Sequence, residues 1–398
     1  MADQENKVVW QHPEAGTIVP VASRVDFHVV LPWPDDYLIY PPLLEGLFGD
    51  GLFDTAAVIE TNAGLPAGSA DGTGGGTFIT GNRALTAFGR VDATGWQRLN
   101  YWMLTQSTPP TITRGAGVGA SAGNGYRGVV YAGGSFAVAI PHTSTFGFHR
   151  LNIQTNAGNL LASAAGTLTH AGGVYVGNGK VVAIPYNAQQ FCIIDTIENT
   201  ATYVGPSLGA QTGKFYGGIY IGNGRLVAIP HNAPQPVIFD VNELTVTPFG
   251  DVDESSMKYA GGIYLDHGRV AAIPYNSPYI MHIDTHAQVT RELIQVDIPE
   301  YNKYSGGVYI GDERFICMPF DASQFLFVDM KNRTATPFGT PDSRAGKYIN
   351  GYFAGNGYIV AVSHNIAVET KILDLGAGYR SNVPFAGQAL LTAWFNKF

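Results

Sequence analysis

Six copies of one sequence pattern follow one another through the last two-thirds of this 398-residue chain. Each copy opens with a glycine pair, which is replaced by Arg-Gly in the first copy and by Asn-Gly in the last. An apolar run follows, and a second apolar run after it ends at a proline. The second glycine stands at Gly128, Gly173, Gly218, Gly262, Gly307 and Gly351. The proline stands at Pro141, Pro185, Pro230, Pro274 and Pro319, with Ser363 in the sixth copy. Both anchors recur every 44 or 45 residues, which indicates a tandem-repeat fold.

Each copy contains four short apolar segments separated by turn residues. In the copy that begins at Gly172, the pattern predicts strands over 173–176, 181–184, 191–194 and 200–204. Gly177, Asn178 and Gly179 form a turn signal. Four strands in one such repeat are typical of a propeller blade. We therefore predict an all-β fold, a β-propeller of six four-stranded blades with an irregular N-terminal segment. A β-solenoid is the alternative, but its coils need fewer residues.

The repeat can be written K-[YF]-x-[GN]-G, then N-G-[KR], I-P-[YH]-N and [IV]-D, over roughly residues 124–376. This pattern resembles tandem propeller repeats in uncharacterised proteins and in some bacteriophage virion proteins. It is also distantly similar to the YVTN and NHL-like propellers. The resemblance implies the fold and leaves the function open, because propellers host unrelated activities.

The flanks of the repeats have a different composition. We predict an extended or anchoring segment over 1–115, and a propeller with a closing C-terminal tail over 116–398. The segment GGTFITGNRALTAFG at 75–89 echoes a repeat and predicts either a seventh blade or a short hairpin. All five tryptophans lie in the flanks, at Trp10, Trp33, Trp96, Trp102 and Trp394. The flanks either seal the first and last blades or anchor the propeller to another protein or to copies of itself.

Composition narrows the classes of function. The net charge is −8 and no run of Lys or Arg occurs, so binding to nucleic acid is not expected. The N-terminus lacks the pattern of a secretory signal peptide, and no apolar run is long enough for a transmembrane helix. We expect synthesis in a cytoplasm and no insertion into a membrane. The two cysteines, Cys192 and Cys317, are predicted to be small buried hydrophobic residues.

One candidate binding set follows the proline of each repeat, where residues at equivalent positions should surround the propeller axis. Its aromatic members are His142, Tyr186, His231, Tyr275, Phe320 and His364. The next residues along the chain are Thr143, Asn187, Asn232, Asn276, Asp321 and Asn365. Aromatic faces with amide neighbours can stack on sugars or bases and hydrogen-bond to hydroxyl groups. The alternative is that each Asn caps its turn and the aromatic side chain packs between blades.

A second candidate set precedes the glycine pairs and should lie at the same end of the propeller. It consists of Lys214, Lys258, Lys303 and Lys347. Four converging ammonium groups would focus a positive potential and suit an anionic or polyhydroxylated ligand. The alternative is that each lysine binds a backbone carbonyl or pairs with an acid of the next blade.

Two further sets could suggest a metal, but a metal site is not predicted. Aspartates recur at the end of the third strand, at Asp195, Asp240, Asp284, Asp329 and Asp374. One carboxylate per blade is too dispersed for a coordination sphere, so these residues are predicted to cap turns. The histidines His142, His231 and His364 occupy an asymmetric set of blades, which does not favour zinc.

The chain contains no recognisable catalytic motif and no signature of a cofactor site. We predict a non-enzymatic structural or recognition protein of a virion, such as a phage tail or spike component. It would bind a host-surface glycan or a partner virion protein, with residues 1–115 contacting other virion proteins. The alternatives are an intracellular propeller scaffold for protein–protein interaction, and a lyase or lactonase acting at the propeller mouth.

Overall fold

The computed structural model describes residues 8–12, 26–29, 58–62, 73–80, 83–88, 97–104, 112–120, 126–142, 147–152, 154–155, 157–163, 169–252, 254–355, 357–364 and 368–376. The chain divides into two compact units, Met1–Tyr37 and Leu38–Phe398. In the first unit, strands β1 (Val8–His12) and β2 (Asp26–Val29) pair antiparallel. The predictions on Trp33, Trp96, Trp394 and the C-terminal tail fall outside the described residues.

The second unit is built from short antiparallel strands. The early strands are β3 (Ile59–Asn62), β4 (Thr73–Thr80), β5 (Arg83–Phe88), β6 (Gln97–Leu104) and β7 (Ile112–Ala120). The first two repeats form β8 (Tyr126–Tyr131), β9 (Phe136–Pro141), β10 (Gly147–Asn152), β11 (Ala157–Ser163), β12 (His170–Gly177), β13 (Lys180–Pro185), β14 (Phe191–Asp195) and β15 (Thr200–Val204). The next two form β16 (Phe215–Gly222), β17 (Arg225–Pro230), β18 (Val237–Asp240), β19 (Thr245–Pro248), β20 (Tyr259–Asp266), β21 (Arg269–Pro274), β22 (Tyr279–Asp284) and β23 (Val289–Gln295). The last two form β24 (Tyr304–Gly311), β25 (Arg314–Pro319), β26 (Phe325–Asp329), β27 (Thr334–Phe338), β28 (Tyr348–Gly355), β29 (Tyr358–Ser363) and β30 (Lys371–Asp374).

These strands confirm the predicted all-β propeller. Within the described residues, the first five repeats each form a four-stranded antiparallel sheet, the sixth forms one together with β3, and β4–β7 form a seventh. The first strand of each sheet contacts the first strand of the next, and β28 contacts β4. The sheets therefore form a closed ring with the first strands innermost. Of the two predictions for residues 75–89, the seventh blade is the one that the structure shows.

In the part of the chain that the structure describes, the last repeat supplies three strands of its blade. Its fourth strand is β3, which lies before all the repeats in sequence and pairs antiparallel with β30. The segment predicted over 1–115 thus contains β3 to β6 and the start of β7, which the structure places in four-stranded sheets of the second unit. The hydrogen-bonding edge of β30 needs a partner, and the flank before the repeats provides it.

The strand register corrects one detail of the sequence alignment. Tyr126 lies opposite Pro141 in the first repeat, as His170 lies opposite Pro185 in the second. Gly128 is therefore equivalent to Gly172, the first glycine of its pair, and not to Gly173. Arg127 accordingly occupies the position before the glycine pair and not a glycine position.

The glycine pairs let adjacent blades approach closely. Gly217 has φ +76°, and a Cβ there would lie 3.2 Å from the Cα of Gly261 in the next blade. The second glycine of the same pair faces the preceding blade. A Cβ on Gly218 would lie 2.7 Å from Cδ1 of Ile184. The pair therefore allows both neighbouring blades to pack against the inner strand.

Candidate functional site

The aromatic residues after the proline form a continuous arc, which we call the aromatic belt. It consists of His142, Tyr186, His231, Tyr275, Phe320 and His364. Successive ring centroids around the belt are 5.1, 5.9, 5.6, 5.7 and 5.5 Å apart. His231 is buried, and the other five side chains are partly exposed. The belt is thus a connected aromatic surface of tilted and edge-on rings, a packing that aromatic quadrupoles favour.

Two of the belt histidines are held in one orientation and are uncharged. Nδ1 of His142 donates to the carbonyl oxygen of His170 at 2.7 Å, and Nδ1 of His231 donates to that of Tyr259 at 2.8 Å. Because a carbonyl oxygen can only accept, the proton lies on Nδ1 and Nε2 is an acceptor. Burial is the main reason why the pKa of each imidazole falls to about 4, and Arg127 lowers both further.

The four predicted lysines are buried and do not form an exposed cationic ring. Lys214 is 2% exposed, and its Nζ donates to the carbonyl oxygens of Gln211 at 2.6 Å and of Asn187 and Gly209 at 3.3 Å. The other three bind carbonyls in the same way: Lys258 to Ser255 at 2.9 Å, Lys303 to Asn276 at 3.2 Å, and Lys347 to Asp321 at 3.3 Å and Arg344 at 2.5 Å. Burial lowers the pKa of Lys214, Lys303 and Lys347. This geometry corresponds to the backbone-binding alternative of the sequence analysis.

The predicted asparagines connect each blade to the next. Oδ1 of Asn187 accepts the backbone N–H of Gly213 at 2.7 Å, directly before Lys214. The same bond recurs from Asn232 to Met257, from Asn276 to Asn302 and from Asp321 to Gly346, each at 2.7 Å. Together with the lysine–carbonyl bonds, these contacts form what we call the inter-blade link. Asn365 and Thr143 lie outside the described residues.

The recurring aspartates cap turns in the structure. Oδ1 of Asp195 accepts the backbone N–H groups of Ile197 and Glu198, both at 2.9 Å. Asp240 and Asp284 repeat this arrangement. Among the residues that the structure describes, no group of three or more His, Cys, Asp or Glu side chains could hold a metal ion.

A pair of residues that the sequence analysis did not select lies beside the belt. Nη1 of Arg127 donates to Oη of Tyr216 at 2.7 Å, and its Cζ lies 5.8 Å from the centre of the Tyr216 ring. The Tyr216 ring lies 6.2 Å from that of Tyr186 and 5.4 Å from that of His231. Arg127 and Tyr216 belong to blades separated by one intervening blade. We refer to them as the Arg–Tyr pair.

The Arg–Tyr pair breaks the repeat. The register makes Arg127 and Tyr216 equivalent, and the other repeats have Ala171, Ala260, Ser305 and Ile349 at this position. The sequence signal was therefore present, as two large polar residues at a position otherwise small or apolar. It was missed because the first repeat was aligned one residue out of register.

The described residues contain no helix long and apolar enough to cross a membrane. No protein-family model matches the chain, and no curated protein matches it in sequence. The class of the protein is accordingly defined by its fold, a closed β-propeller with an aromatic belt at one end.

Proposed function

We propose that this protein is a non-enzymatic recognition protein of a virus particle, and that the aromatic belt binds a host-surface glycan. The observation that carries the proposal is the continuity of the belt across six neighbouring blades. Isolated aromatic residues between blades would serve packing alone. A connected and partly exposed arc offers several ring faces to one extended ligand.

The chemistry of the belt suits a polyhydroxylated ligand. The ring faces of Tyr186, Tyr275 and Phe320 can pack against the apolar C–H face of a sugar. The uncharged, partly exposed His142 offers Nε2 as an acceptor for hydroxyl hydrogens, and the tyrosine hydroxyl groups can donate and accept. Few polar groups on an apolar surface are typical of small-molecule sites.

A glycan array with the full chain tests the recognition part of the proposal. We expect binding to a subset of glycans, and about a fivefold to tenfold loss in Tyr275→Ala, because an aromatic contact of about 1–1.5 kcal/mol is removed. The control is Ile197→Ala, at the turn between the third and fourth strands of its blade. Equal binding by both variants and the wild type, or no binding to any glycan, would contradict the proposal.

The virion setting is supported by the resemblance of the repeats and has its own test. Particles purified through a density gradient should contain the chain when their proteins are identified by mass spectrometry. We also propose that residues 1–115 contact other virion proteins, so that cross-links to them should start from this region. Absence of the chain from purified particles would exclude a virion protein.

A further inference from the structure

The Arg–Tyr pair places a guanidinium group among the phenol and imidazole rings beside the aromatic belt. Burial is the main cause of the pKa shift of four neighbouring groups, and the positive charge of Arg127 lowers the pKa of each as well. The four are His142, His231, Tyr186 and Tyr275, so Arg127 lies near all of them. Its own pKa is raised, chiefly by the phenol of Tyr216. Among the described residues, no carboxylate pairs with Arg127.

An arginine in such surroundings has capacity for another partner. The guanidinium carries five N–H donors in a planar fork, and the bond to Tyr216 uses one of them. The bond and the approach to the Tyr216 ring hold the fork in place. A pre-oriented guanidinium with a partly apolar environment is suited to bidentate binding of a planar carboxylate.

Arg127 differs from the lysines of the inter-blade link in what its charge contacts. The lysines that recur in the repeat are buried and bound to backbone carbonyls, so their charges serve the fold. Arg127 occurs in one repeat only, where Ala or Ser occupies the position in three others. Blade packing does not require Arg127, because the other repeats pack with small or apolar residues, or with a tyrosine, at the same position.

We propose that Arg127, positioned by Tyr216, binds the carboxylate of an acidic saccharide whose sugar rings contact the aromatic belt. This inference rests on the proposed glycan recognition and names its ligand class. The carboxylate takes the remaining N–H groups of the guanidinium, and an adjacent sugar hydroxyl donates to Nε2 of His142. No covalent step is involved.

Two matched pairs of probes test the proposal on the full chain by titration calorimetry. One pair is tetragalacturonate and its methyl ester, which differ in the charge of the carboxyl groups. The other is 3′-sialyllactose and lactose. We expect the acidic member of at least one pair to bind about tenfold to a hundredfold more tightly than its neutral counterpart, since a bidentate charge-assisted contact is lost in the latter.

The variants locate the preference. Arg127→Gln should abolish the acidic preference, and Arg127→Lys should retain only part of it because the fork is lost. The control is Arg291→Gln, an exposed arginine on an outer strand, which should behave as the wild type. The comparison of acid with ester in the wild type needs no variant and stands even if Arg127→Gln fails to fold.

The outcomes separate this inference from the proposed function. Equal binding of acidic and neutral probes, or an acidic preference that survives Arg127→Gln, would overturn the role of Arg127 and leave glycan recognition standing. Failure of all four probes, together with no hit on the glycan array, would overturn both.

Discussion

At the level of single residues, the repeated lysines and Arg127 use their positive charges differently. The lysines of the repeat are buried and donate to backbone carbonyl oxygens, whose dipoles stabilise the ammonium charge. Arg127 instead bonds to a phenol and stands among aromatic rings. The lysines follow from the repeat, because each blade must be joined to the next. Arg127 stands at a position where the repeat pattern is broken, so the repeat does not explain it.

Lys214→Met tests the structural role of the repeated lysines. The substitution leaves the carbonyls of Asn187, Gly209 and Gln211 without their shared donor, so the free energy of unfolding should fall by roughly 1–3 kcal/mol. Chemical denaturation measures the loss. The exposed Lys180 provides the control, and Lys180→Met should have little effect.

The opposite pattern would contradict this role. If Lys214→Met left stability unchanged and weakened glycan binding, the lysines would be ligand-binding residues, as one of the two predictions from the sequence holds. Intact glycan binding in a destabilised Lys214→Met variant is the expected result.

At the level of the structural element, the glycine pair explains the spacing of the blades. Strands of neighbouring blades come close enough that a methyl group on the second glycine meets the isoleucine of the preceding blade. The contact recurs: Ile140 faces Gly173 at 3.0 Å, Ile229 faces Gly262 at 3.1 Å, and Ile273 faces Gly307 at 3.1 Å from the position of an added Cβ. In the last repeat, Sδ of Met318 takes this place at 2.9 Å from Gly351.

Gly218→Ala should therefore destabilise the protein by about 1–3 kcal/mol through overpacking. The added Cβ would lie 2.7 Å from Cδ1 of Ile184. Ile184→Val removes that atom, so the double variant should lose less than the sum of the two single losses. Thermal and denaturant unfolding of all four proteins completes the cycle. Additive losses would show that the two side chains do not interact.

At the level of the whole molecule, closure depends on a segment that precedes the repeats. The strand β3 completes the last blade, and its Glu60 accepts the backbone N–H of Thr340 at 2.6 Å and lies 3.5 Å from Nζ of Lys371. A ring of blades gains stability when its last sheet combines strands from both ends of the repeat array, because opening the ring then requires breaking a sheet.

Two truncations that differ only in β3 test this closure. A variant that begins at residue 58 keeps the strand, and one that begins at residue 63 lacks it. The shorter variant should be less stable by roughly 2–4 kcal/mol, from a few backbone hydrogen bonds of about 0.5–1.5 kcal/mol each. Its unpaired β30 edge should also promote self-association, which light scattering detects. Equal melting temperatures and equal mass would show that β3 is dispensable.

Much of this architecture could be predicted from sequence, for a physical reason. Blades are local units whose strands are consecutive in the chain, so spacing and turn residues reveal them, as Pro185 and Asn178 do in the second repeat. The same locality placed the aromatic and lysine sets at one end. Whether Lys214 faced solvent or bound carbonyls could not be predicted, because this depends on the conformation of its own irregular loop, with Gly209 and Gln211, and on the carbonyl of Asn187 in the preceding blade.

The amino-acid sequence by itself therefore determined the class of fold, the repeat and the candidate positions. The tertiary structure decided what depends on contacts between distant parts of the chain. These are the contact of β28 with β4 that closes the ring, the pairing of β3 with β30 and the meeting of Arg127 with Tyr216 across an intervening blade. Periodicity reports what recurs at a fixed interval, whereas closure and the Arg–Tyr pair each occur once, so only packing in three dimensions reveals them.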